Sequence, residues 1–247
     1  MCLSGISSAK DSNAERPHKT TFNQQTQIYR TAVPLESYTY DENGNRLSSY
    51  TTAQGTRTYT YDNDDRLLGW DSDDAGTDYD IAYAYDKDGY LTTKTEGSDV
   101  TTYDYSSRGE LLKVTFPNTD VIEYVHGLGG ERLAKKVNGT ITEKYLWAGV
   151  NLLAIYDASD VLITRFDAGS MTHNGTKYYL TRDQVGSLRA IYDTTGTLQG
   201  KIEYDSFGNE LSNTLTSTLA DIPIGFAGGY SDRDTGLVRF GYRDYDS

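Results

Sequence analysis

Cysteine is almost absent from this chain of 247 residues, and proline and tryptophan are scarce. Cys2 has no second thiol to pair with, so an intramolecular disulfide is excluded. The 4 prolines exclude a long proline-rich linker. No apolar run approaches the roughly 20 residues of a transmembrane helix, and the first residues lack the basic leader and apolar core of a secretory signal. We expect neither a membrane span nor a signal peptide in this chain.

Positive charge is also in short supply. Acidic residues outnumber basic ones by 36 to 23, which gives a formal net charge of −13. Such a chain repels phosphate backbones, so we expect no nucleic-acid partner. The same charge keeps a sheet protein soluble and discourages pairing between sheet edges.

Tyrosine is the abundant aromatic residue: the chain has 22 Tyr against 6 Phe and 2 Trp, together with 24 Gly. Tyrosine favours half-buried positions in pleated sheets, because its ring is apolar while its hydroxyl can reach water or a partner. Glycine supplies the turns between strands. The composition therefore predicts an all-β protein in which both faces of the sheet are partly polar.

Pairs of tyrosines recur about every 20 residues, each followed by a short polar turn, which is typical of a repeat protein. Clear units lie at 38–47, 59–67, 83–91 and 103–111, and weaker ones lie at 124–133 and 204–211. In Tyr-x-Tyr both rings share one face of a strand, since side chains alternate with a period of two. Each unit is expected to form a strand, a turn and a return strand. A single hairpin is marginally stable, so the hairpins must stack on one another.

The turn of each unit is predicted from its aspartate and its glycine. Aspartate can accept backbone N–H groups two residues on, and Asn-Gly or Asp-Gly supplies the positive φ angles of a tight hairpin. Asp65 replaces the glycine in the second unit, so a strained or longer turn is expected there. The motif residues predicted to be structural are Tyr40, Asp41, Gly44, Tyr61, Asp62, Tyr85, Asp86, Gly89, Tyr105, Gly109, Tyr204, Asp205 and Gly208.

From about residue 143 the pattern changes to short apolar strands between polar turns, with no amphipathic helix. We divide the chain into a weakly ordered polar lead-in at 1–35 with one strand near Gln27–Ala32, tyrosine–aspartate repeats at 36–142, and a second β region at 143–247. The strands expected in the last region are Lys144–Trp147, Asn151–Tyr156, Val161–Asp167, Lys177–Leu180, Leu188–Tyr192 and Leu198–Tyr204.

Two groups of residues resemble one known family. The Tyr-Asp-x-x-Gly-x-Leu units resemble the YD repeats of the RHS family, and the C-terminal third resembles the RHS repeat-associated core domain. The second resemblance is carried by Tyr179–Ala190, Tyr204–Asn209, Ile224–Gly229 and Asp234–Asp246. The core-motif residues that it implies are Asp183, Gly186, Arg189, Gly236, Leu237, Arg239 and Arg243.

The RHS family includes bacterial polymorphic toxins, the C subunits of insecticidal toxin complexes, and teneurins, which are large secreted or cell-surface proteins. The resemblance implies a YD-repeat sheet wound into a hollow shell, with toxin cargo or other parts of an RHS polypeptide as partners. Gln184-Val185 and Ser206 depart from the family pattern, which usually has histidine and proline there. The chain ends before the family's self-cleavage stretch, so we expect no enzyme activity.

Groups that could carry chemistry are few. The three histidines, His18, His126 and His173, are scattered in sequence and are expected to be structural. The acidic run at 71–80 lacks the spacing of a known calcium loop, so a solvated loop is favoured and neither metal nor cofactor is expected. The weak calcium candidates in that run are Asp71, Asp73 and Asp78.

Aspartates in the C-terminal third could run acid–base proteolysis as pairs, but strand-end bonding and ion pairing with nearby arginines is the favoured interpretation. The aspartates are Asp183, Asp232, Asp234 and Asp244. The arginines are Arg182, Arg189, Arg239 and Arg243.

The first hypothesis is a structural β-repeat scaffold. It would be a fragment or short version of an RHS shell that encloses or presents a toxin, built as a curved or spiral, open sheet of stacked hairpins. Its open edges would favour assembly with copies of itself. The alternative is a carbohydrate-binding module of the cell surface, because aromatic faces stack on sugar rings. A self-cleaving aspartyl protease is the least favoured hypothesis.

Overall fold

The computed structural model describes residues 26–29, 34–52, 54–72 and 79–247, so most of the predicted lead-in at 1–35 lies outside the described residues. Within that part of the chain the regular structure is strand, apart from one 3-10 turn at Phe226–Gly228. The strands are β1 Thr26–Tyr29, β2 Pro34–Tyr40, β3 Arg46–Thr51, β4 Gly55–Tyr61, β5 Leu67–Asp71, β6 Ile81–Tyr85, β7 Leu91–Glu96, β8 Asp99–Tyr105, β9 Leu111–Thr115, β10 Val121–His126, β11 Arg132–Val137, β12 Thr140–Ala148, β13 Asn151–Tyr156, β14 Leu162–Asp167, β15 Ser170–His173, β16 Thr176–Arg182, β17 Leu188–Asp193, β18 Leu198–Tyr204, β19 Glu210–Asn213, β20 Tyr230–Ser231, β21 Val238–Phe240 and β22 Arg243–Tyr245.

The sheet is a single antiparallel meander of 19 strands, in which each strand pairs with the next one along the chain. Among the described strands, β1 and β19 do not pair with each other, so the sheet is open. The all-β prediction is confirmed. The predicted boundary at residue 143 falls inside β12, and the sheet runs through it without a break.

Two kinds of turn join neighbouring strands of the sheet. In the first repeat Asp41 N–H donates to Asn45 O at 2.9 Å and Gly44 N–H donates to Asp41 O at 3.2 Å. Only Gly44 has a positive φ, 92°, and the strand register shifts between Thr39 and Tyr40. This is a type I turn closed by a bulge. The expectation that Asn-Gly supplies more than one residue with positive φ is wrong for this turn, because one left-handed residue suffices.

The turn that contains Asp65 has the same length as the others. Asp62 N–H donates to Arg66 O at 2.9 Å, and Asp65 N–H donates to Asp62 O at 3.2 Å. Asp65 has a φ of 61°, in the left-handed region that aspartate tolerates better than most residues. The expectation of a longer turn is therefore wrong, because Asp65 itself adopts the left-handed conformation that glycine adopts in the other units.

Two-residue turns do occur on the opposite rim. Asn174 and Gly175 both have positive φ, 48° and 77°, and they join β15 to β16. The strands expected from sequence lacked β15, whose four residues are too short to give a periodic pattern. The other expected strands agree with the observed ones to within a few residues at their ends, apart from β12, which begins four residues earlier.

The last part of the chain, residues 214–247, is here called the C-terminal segment. It contains the 3-10 turn and a three-stranded sheet of β20, β21 and β22. It packs on the face of the meander that carries the buried tyrosine rings, here called the inner face. Leu237 joins a buried cluster with Tyr103 and Tyr124, and Leu219 joins another with Ile191. The core therefore lies between the meander and the C-terminal segment.

The two ends of the meander meet through a contact that we call the clasp, formed by Glu36, Tyr38, Arg46, Ser206 and Phe207. Glu36 Oε2 accepts hydrogen bonds from the Ser206 backbone N–H at 3.0 Å and from its hydroxyl at 2.6 Å. Tyr38 donates to the same carboxylate oxygen at 2.8 Å. The Arg46 guanidinium lies 4.1 Å from the ring centre of Phe207. The sheet thus curls until its β18–β19 turn touches β2.

Candidate functional site

The second aromatic residue of a repeat bonds to the backbone of the preceding repeat. Tyr61 Oη donates to Arg46 O at 3.1 Å, and Tyr85 Oη donates to Leu67 O at 2.8 Å. Each acceptor is the first residue of a return strand. The ring therefore links successive hairpins by a hydrogen bond as well as by its buried area.

A tryptophan makes the same contact further along the chain. Trp147 Nε1 donates to Arg132 O at 2.6 Å, and Arg132 is the first residue of β11. Tyr145-Leu146-Trp147 is therefore a Tyr-x-Tyr unit in which tryptophan replaces the second tyrosine. Sequence reasoning missed this repeat, although the spacing of the two aromatic residues could have revealed it.

The repeat aspartates hold the turns. Asp62 Oδ1 accepts the backbone N–H groups of Asp64 and Arg66, both at 2.9 Å. The Arg66 backbone hydrogen bond lowers the pKa of Asp62 below its ordinary value. The same contacts, to the residues two and four positions on, are made by Asp41, Asp86 and Asp205, and through its hydroxyl by Ser106 in the fourth unit.

The strongest concentration of buried polar groups lies where the C-terminal segment meets β10 and β11. Lys135 Nζ lies 2.6 Å from Asp232 Oδ1 and 2.5 Å from Asp234 Oδ2. Tyr124 Oη donates to Asp232 Oδ2 at 2.6 Å. The Asp232 side chain is fully buried and that of Lys135 is 4% exposed, whereas Asp234 is about half exposed. We call these four residues the Lys135 cluster.

The charges of the Lys135 cluster influence one another. Burial lowers the pKa of Lys135, but the carboxylate of Asp232 and the hydrogen bonds with Asp232 and Asp234 more than offset this, so the pKa is raised overall. Burial raises the pKa of Tyr124 far above its ordinary value, and the Asp232 carboxylate raises it further. Tyr124 is therefore a hydrogen-bond donor at neutral pH.

A second buried ion group lies beside the first. Asp244 Oδ1 lies 3.0 Å from Arg132 Nη2, and Asp244 Oδ2 lies 3.2 Å from Arg239 Nη1. Arg239 also donates to Gly130 O at 3.1 Å, and the Arg132 guanidinium stacks 3.4 Å from the ring centre of Tyr124. One carboxylate therefore bridges two buried guanidinium groups, one on the meander and one on the C-terminal segment.

Three further contacts fix the same segment. Lys94 Nζ lies 2.7 Å from Asp246 Oδ2. Tyr245 Oη donates to Phe207 O at 2.8 Å, which connects the segment to the clasp. The hydroxyls of Tyr145 and Tyr230 lie 2.7 Å apart in the core. These contacts join the C-terminal segment to β7, β12 and the β18–β19 turn.

The core-motif residues are divided between two places. Asp183 accepts the Ser187 backbone N–H at 2.9 Å and Arg189 Nε at 2.9 Å, at the β16–β17 turn. Gly186, in the same turn, has a φ of 96°. The remaining four belong to the C-terminal segment: Gly236, Leu237, Arg239 and Arg243. Arg182 donates to Gly186 O at 3.1 Å, and it makes no ion pair with an acid among the described residues.

The other candidates from sequence are dispersed. His126 is partly buried, and burial followed by the charges of Arg132 and Arg239 lowers its pKa to about 4. His173 Nδ1 lies 2.8 Å from the Thr164 hydroxyl. His18 lies outside the described residues. Two of the calcium candidates, Asp73 and Asp78, also lie outside them, so that hypothesis stays a prediction.

A meander of tyrosine–aspartate hairpins curled around its own C-terminal segment defines a YD-repeat β-shell protein. The family model described as Teneurin YD-shell matches residues 6–247, and the chain belongs to this family. The resemblance to RHS and YD-repeat proteins seen in the sequence is thereby confirmed. Among the described residues, no helix has the length and apolar character needed to cross a membrane.

Curated relatives come from bacteria and animals. The chain is 29% identical over 219 residues to the tRNA3(Ser)-specific nuclease WapA of Bacillus spizizenii, covering 85% of the chain and 9% of the relative. It is 28% identical over 229 residues to human Teneurin-4, covering 86% and 8%. The chain thus spans less than a tenth of the length of these relatives.

A solved structure titled as the crystal structure of TcdB2-TccC3 is also similar. It matches 90% of this chain and 16% of its own, with 16% sequence identity and a TM-score of 0.43. A second structure, titled as the crystal structure of TcdB2-TccC3-Cdc42, matches 91% of this chain and 16% of its own, with 16% identity and a TM-score of 0.45.

Proposed function

We propose that this chain is a scaffold, a wall segment of a YD shell that encloses or presents a toxin. The observation that carries the proposal is the anchoring of the C-terminal segment on the inner face. Asp232 and Asp244 bond Lys135 and Arg132 on β11, and Asp246 bonds Lys94 on β7. Because the inner face of the wall binds the C-terminal segment, the same face can hold a polypeptide that the shell surrounds.

The partners proposed are toxin cargo and other parts of an RHS polypeptide. The WapA relative is named as a tRNA nuclease, and the chain matches only 9% of it. The proposal is that the matched part builds the shell while another part of such a protein carries the activity. Secretion or display at the cell surface follows from the same proposal.

The non-enzymatic character proposed here is supported by the pairing of the acidic groups. Asp183 is bonded to Arg189, Asp232 to Lys135, and Asp244 to two arginines. An aspartyl protease instead needs two carboxylates that share a proton and face a substrate. The carbohydrate-binding alternative is disfavoured because the rings of Tyr59, Tyr103 and Tyr124 are buried.

Protection of an attached peptide tests the proposal. We would fuse a flexible, protease-sensitive peptide after Ser247 and follow its cleavage by thermolysin. The wall model predicts slower cleavage in the intact fusion than in the Asp244→Ala fusion, in which the anchor is broken. A matched fusion with Asp167→Ala, which alters an exposed pair with Arg165, should behave as the intact protein. Equal cleavage rates in all three fusions would contradict the proposal.

A further inference from the structure

The geometry of the Lys135 cluster is that of two reacting partners and not only of an ion pair. Lys135 lies on β11 and Asp232 lies 97 residues later in the C-terminal segment, yet their side-chain atoms are 2.6 Å apart. Both side chains are withdrawn from water. A primary amine held against a carboxyl group in a dry site has the proximity that amide formation needs.

We propose that Lys135 and Asp232 condense to form an intramolecular isopeptide bond. The Lys135 Nζ–Asp232 Cγ bond forms and one Asp232 Cγ–O bond breaks. Two protons of the ammonium group leave with that oxygen as one water molecule, and one hydrogen stays on the amide nitrogen. The reaction needs no oxidant, reductant or cofactor. It goes beyond the shell function and does not depend on it.

The proton must leave Lys135 before the amine can attack. Asp234 Oδ2 lies 2.5 Å from Nζ and can take that proton. Asp232 must in turn be protonated so that water can depart, and the short contact between the two groups allows this exchange. The neighbouring carboxylates keep Lys135 charged in its resting state, so the neutral amine and acid, which are the reactive form, arise through this proton exchange within the cluster.

Tyr124 and Asp234, the other two residues of the Lys135 cluster, are placed to assist the intermediate that forms when the amine adds to the carboxyl group. As the amine adds to Asp232 Cγ, negative charge develops on the carboxyl oxygen that does not leave. Tyr124 Oη donates to Asp232 Oδ2 at 2.6 Å and would stabilise that charge. Asp234 is about half exposed, so the site opens to solvent on its side and the water produced can escape there.

The other lysine–carboxylate pairs of the described chain lack this arrangement. Each has one carboxylate and side chains that are a quarter or more exposed, so water reaches the amine and no second carboxylate is placed to take its proton. They are Lys94–Asp246, Lys113–Asp104 and Lys144–Asp160. They serve as internal controls, since the proposal assigns the reaction to Lys135 alone.

The bond would have a mechanical consequence. It would close a loop from β11 to the C-terminal segment and make the anchor permanent. A chain with one cysteine cannot obtain such a crosslink from an internal disulfide.

Intact mass spectrometry of the denatured chain of 247 residues tests the proposal. The chain should weigh about 18 Da less than its sequence requires, because one water is lost. The Lys135→Arg variant keeps the positive charge but should have its full mass. Proteolysis of the wild-type chain should release one branched peptide that joins the Lys135 and Asp232 fragments.

Two variants address the mechanism if Lys135→Arg fails to fold. Asp234→Asn removes the proton acceptor and Tyr124→Phe removes the donor to Asp232, and both should slow the loss of water at least tenfold during incubation. A wild-type chain at full mass after long incubation overturns the proposal. A loss of water that persists in Lys135→Arg, or a branched peptide at another lysine, also overturns it.

Discussion

Asp244 is the residue on which the largest single effect is expected. It accepts hydrogen bonds from Arg132 and Arg239, whose side chains are both 1% exposed. Replacing it by alanine leaves two buried guanidinium groups without their carboxylate. We expect Asp244→Ala to lower the free energy of unfolding by about 3–5 kcal/mol, the usual cost of breaking a buried pair. Urea denaturation measures this directly.

The control for Asp244 is an exposed pair. Arg165 and Asp167 lie 3.2 Å apart, but both side chains are largely open to solvent. Asp167→Ala should change the free energy of unfolding by less than about 1 kcal/mol. A similar decrease in the free energy of unfolding in the two variants would mean that burial of the Asp244 ion group does not increase its contribution to stability.

His126 should make the fold sensitive to mild acid. Its folded-state pKa of about 4 lies below the ordinary value of 6.5. Between about pH 6.5 and 4, His126 is therefore protonated in the unfolded chain but not in the folded chain. The free energy of unfolding falls as the pH is lowered through this interval. Burial of the imidazole lowers this pKa most; the charges of Arg132 and Arg239 lower it further, and those of Glu110 and Asp244 raise it.

The corresponding measurement compares wild type with His126→Gln between pH 7 and 4. The wild-type melting temperature should fall more steeply than that of the variant over this interval. Other carboxyl groups titrate in both proteins, so the difference between the two curves isolates His126. Parallel curves would show that His126 does not titrate abnormally.

At the scale of the elements, the hydrogen bonds between successive hairpins are the feature to test. Trp147→Phe keeps an aromatic ring but loses the donor to Arg132 O. We expect the free energy of unfolding to fall by about 1 kcal/mol or more, since the carbonyl loses its partner and the ring is smaller.

Tyr85→Phe removes only the hydroxyl that bonds Leu67 O and should lower the free energy of unfolding by about 1 kcal/mol. Tyr179→Phe, which changes a surface-exposed ring, should cost close to nothing.

The repeat turns offer a second test at this scale. Gly89 has a φ of 86°, and a methyl group added there would meet no atom within 4 Å. Gly89→Ala should therefore lower the free energy of unfolding by about 1–2 kcal/mol through backbone conformation alone. Lys87→Ala in the same turn is the control, because Lys87 is exposed. A loss in the Lys87 variant equal to that in the Gly89 variant would rule out the backbone explanation.

At the scale of the whole molecule, the clasp holds the two ends of the meander together. Arg46 lies 4.2 Å from the Tyr59 ring centre and 4.1 Å from that of Phe207, so it links β3 and β4 to the far end of the sheet. A double-mutant cycle with Arg46→Met and Phe207→Leu should give a coupling energy of about 1 kcal/mol. Hydrogen exchange in β2 and β3 should also become faster in the Phe207 variant. Additive effects with unchanged exchange would contradict the clasp.

The sequence alone determined the local architecture. Tyr-x-Tyr followed by aspartate and glycine predicted strand, turn and strand because those preferences act over a few residues. The number of left-handed residues was wrong even there, since Gly44 alone has a positive φ in its turn and closes the hairpin with a bulge. The short strand β15 escaped notice because four residues do not reveal a period.

The tertiary structure alone decided which side chains meet. Sequence reasoning paired the C-terminal aspartates with nearby arginines, and this describes Asp183 with Arg189 and Asp244 with Arg239. It could not find Lys135 for Asp232, because that partner is 97 residues away on β11. Tyrosine–aspartate hairpins are set by local backbone preference, whereas the anchor and the clasp depend on how far the sheet curls. That curl sums the twist of nineteen strands and brings Glu36 to Ser206.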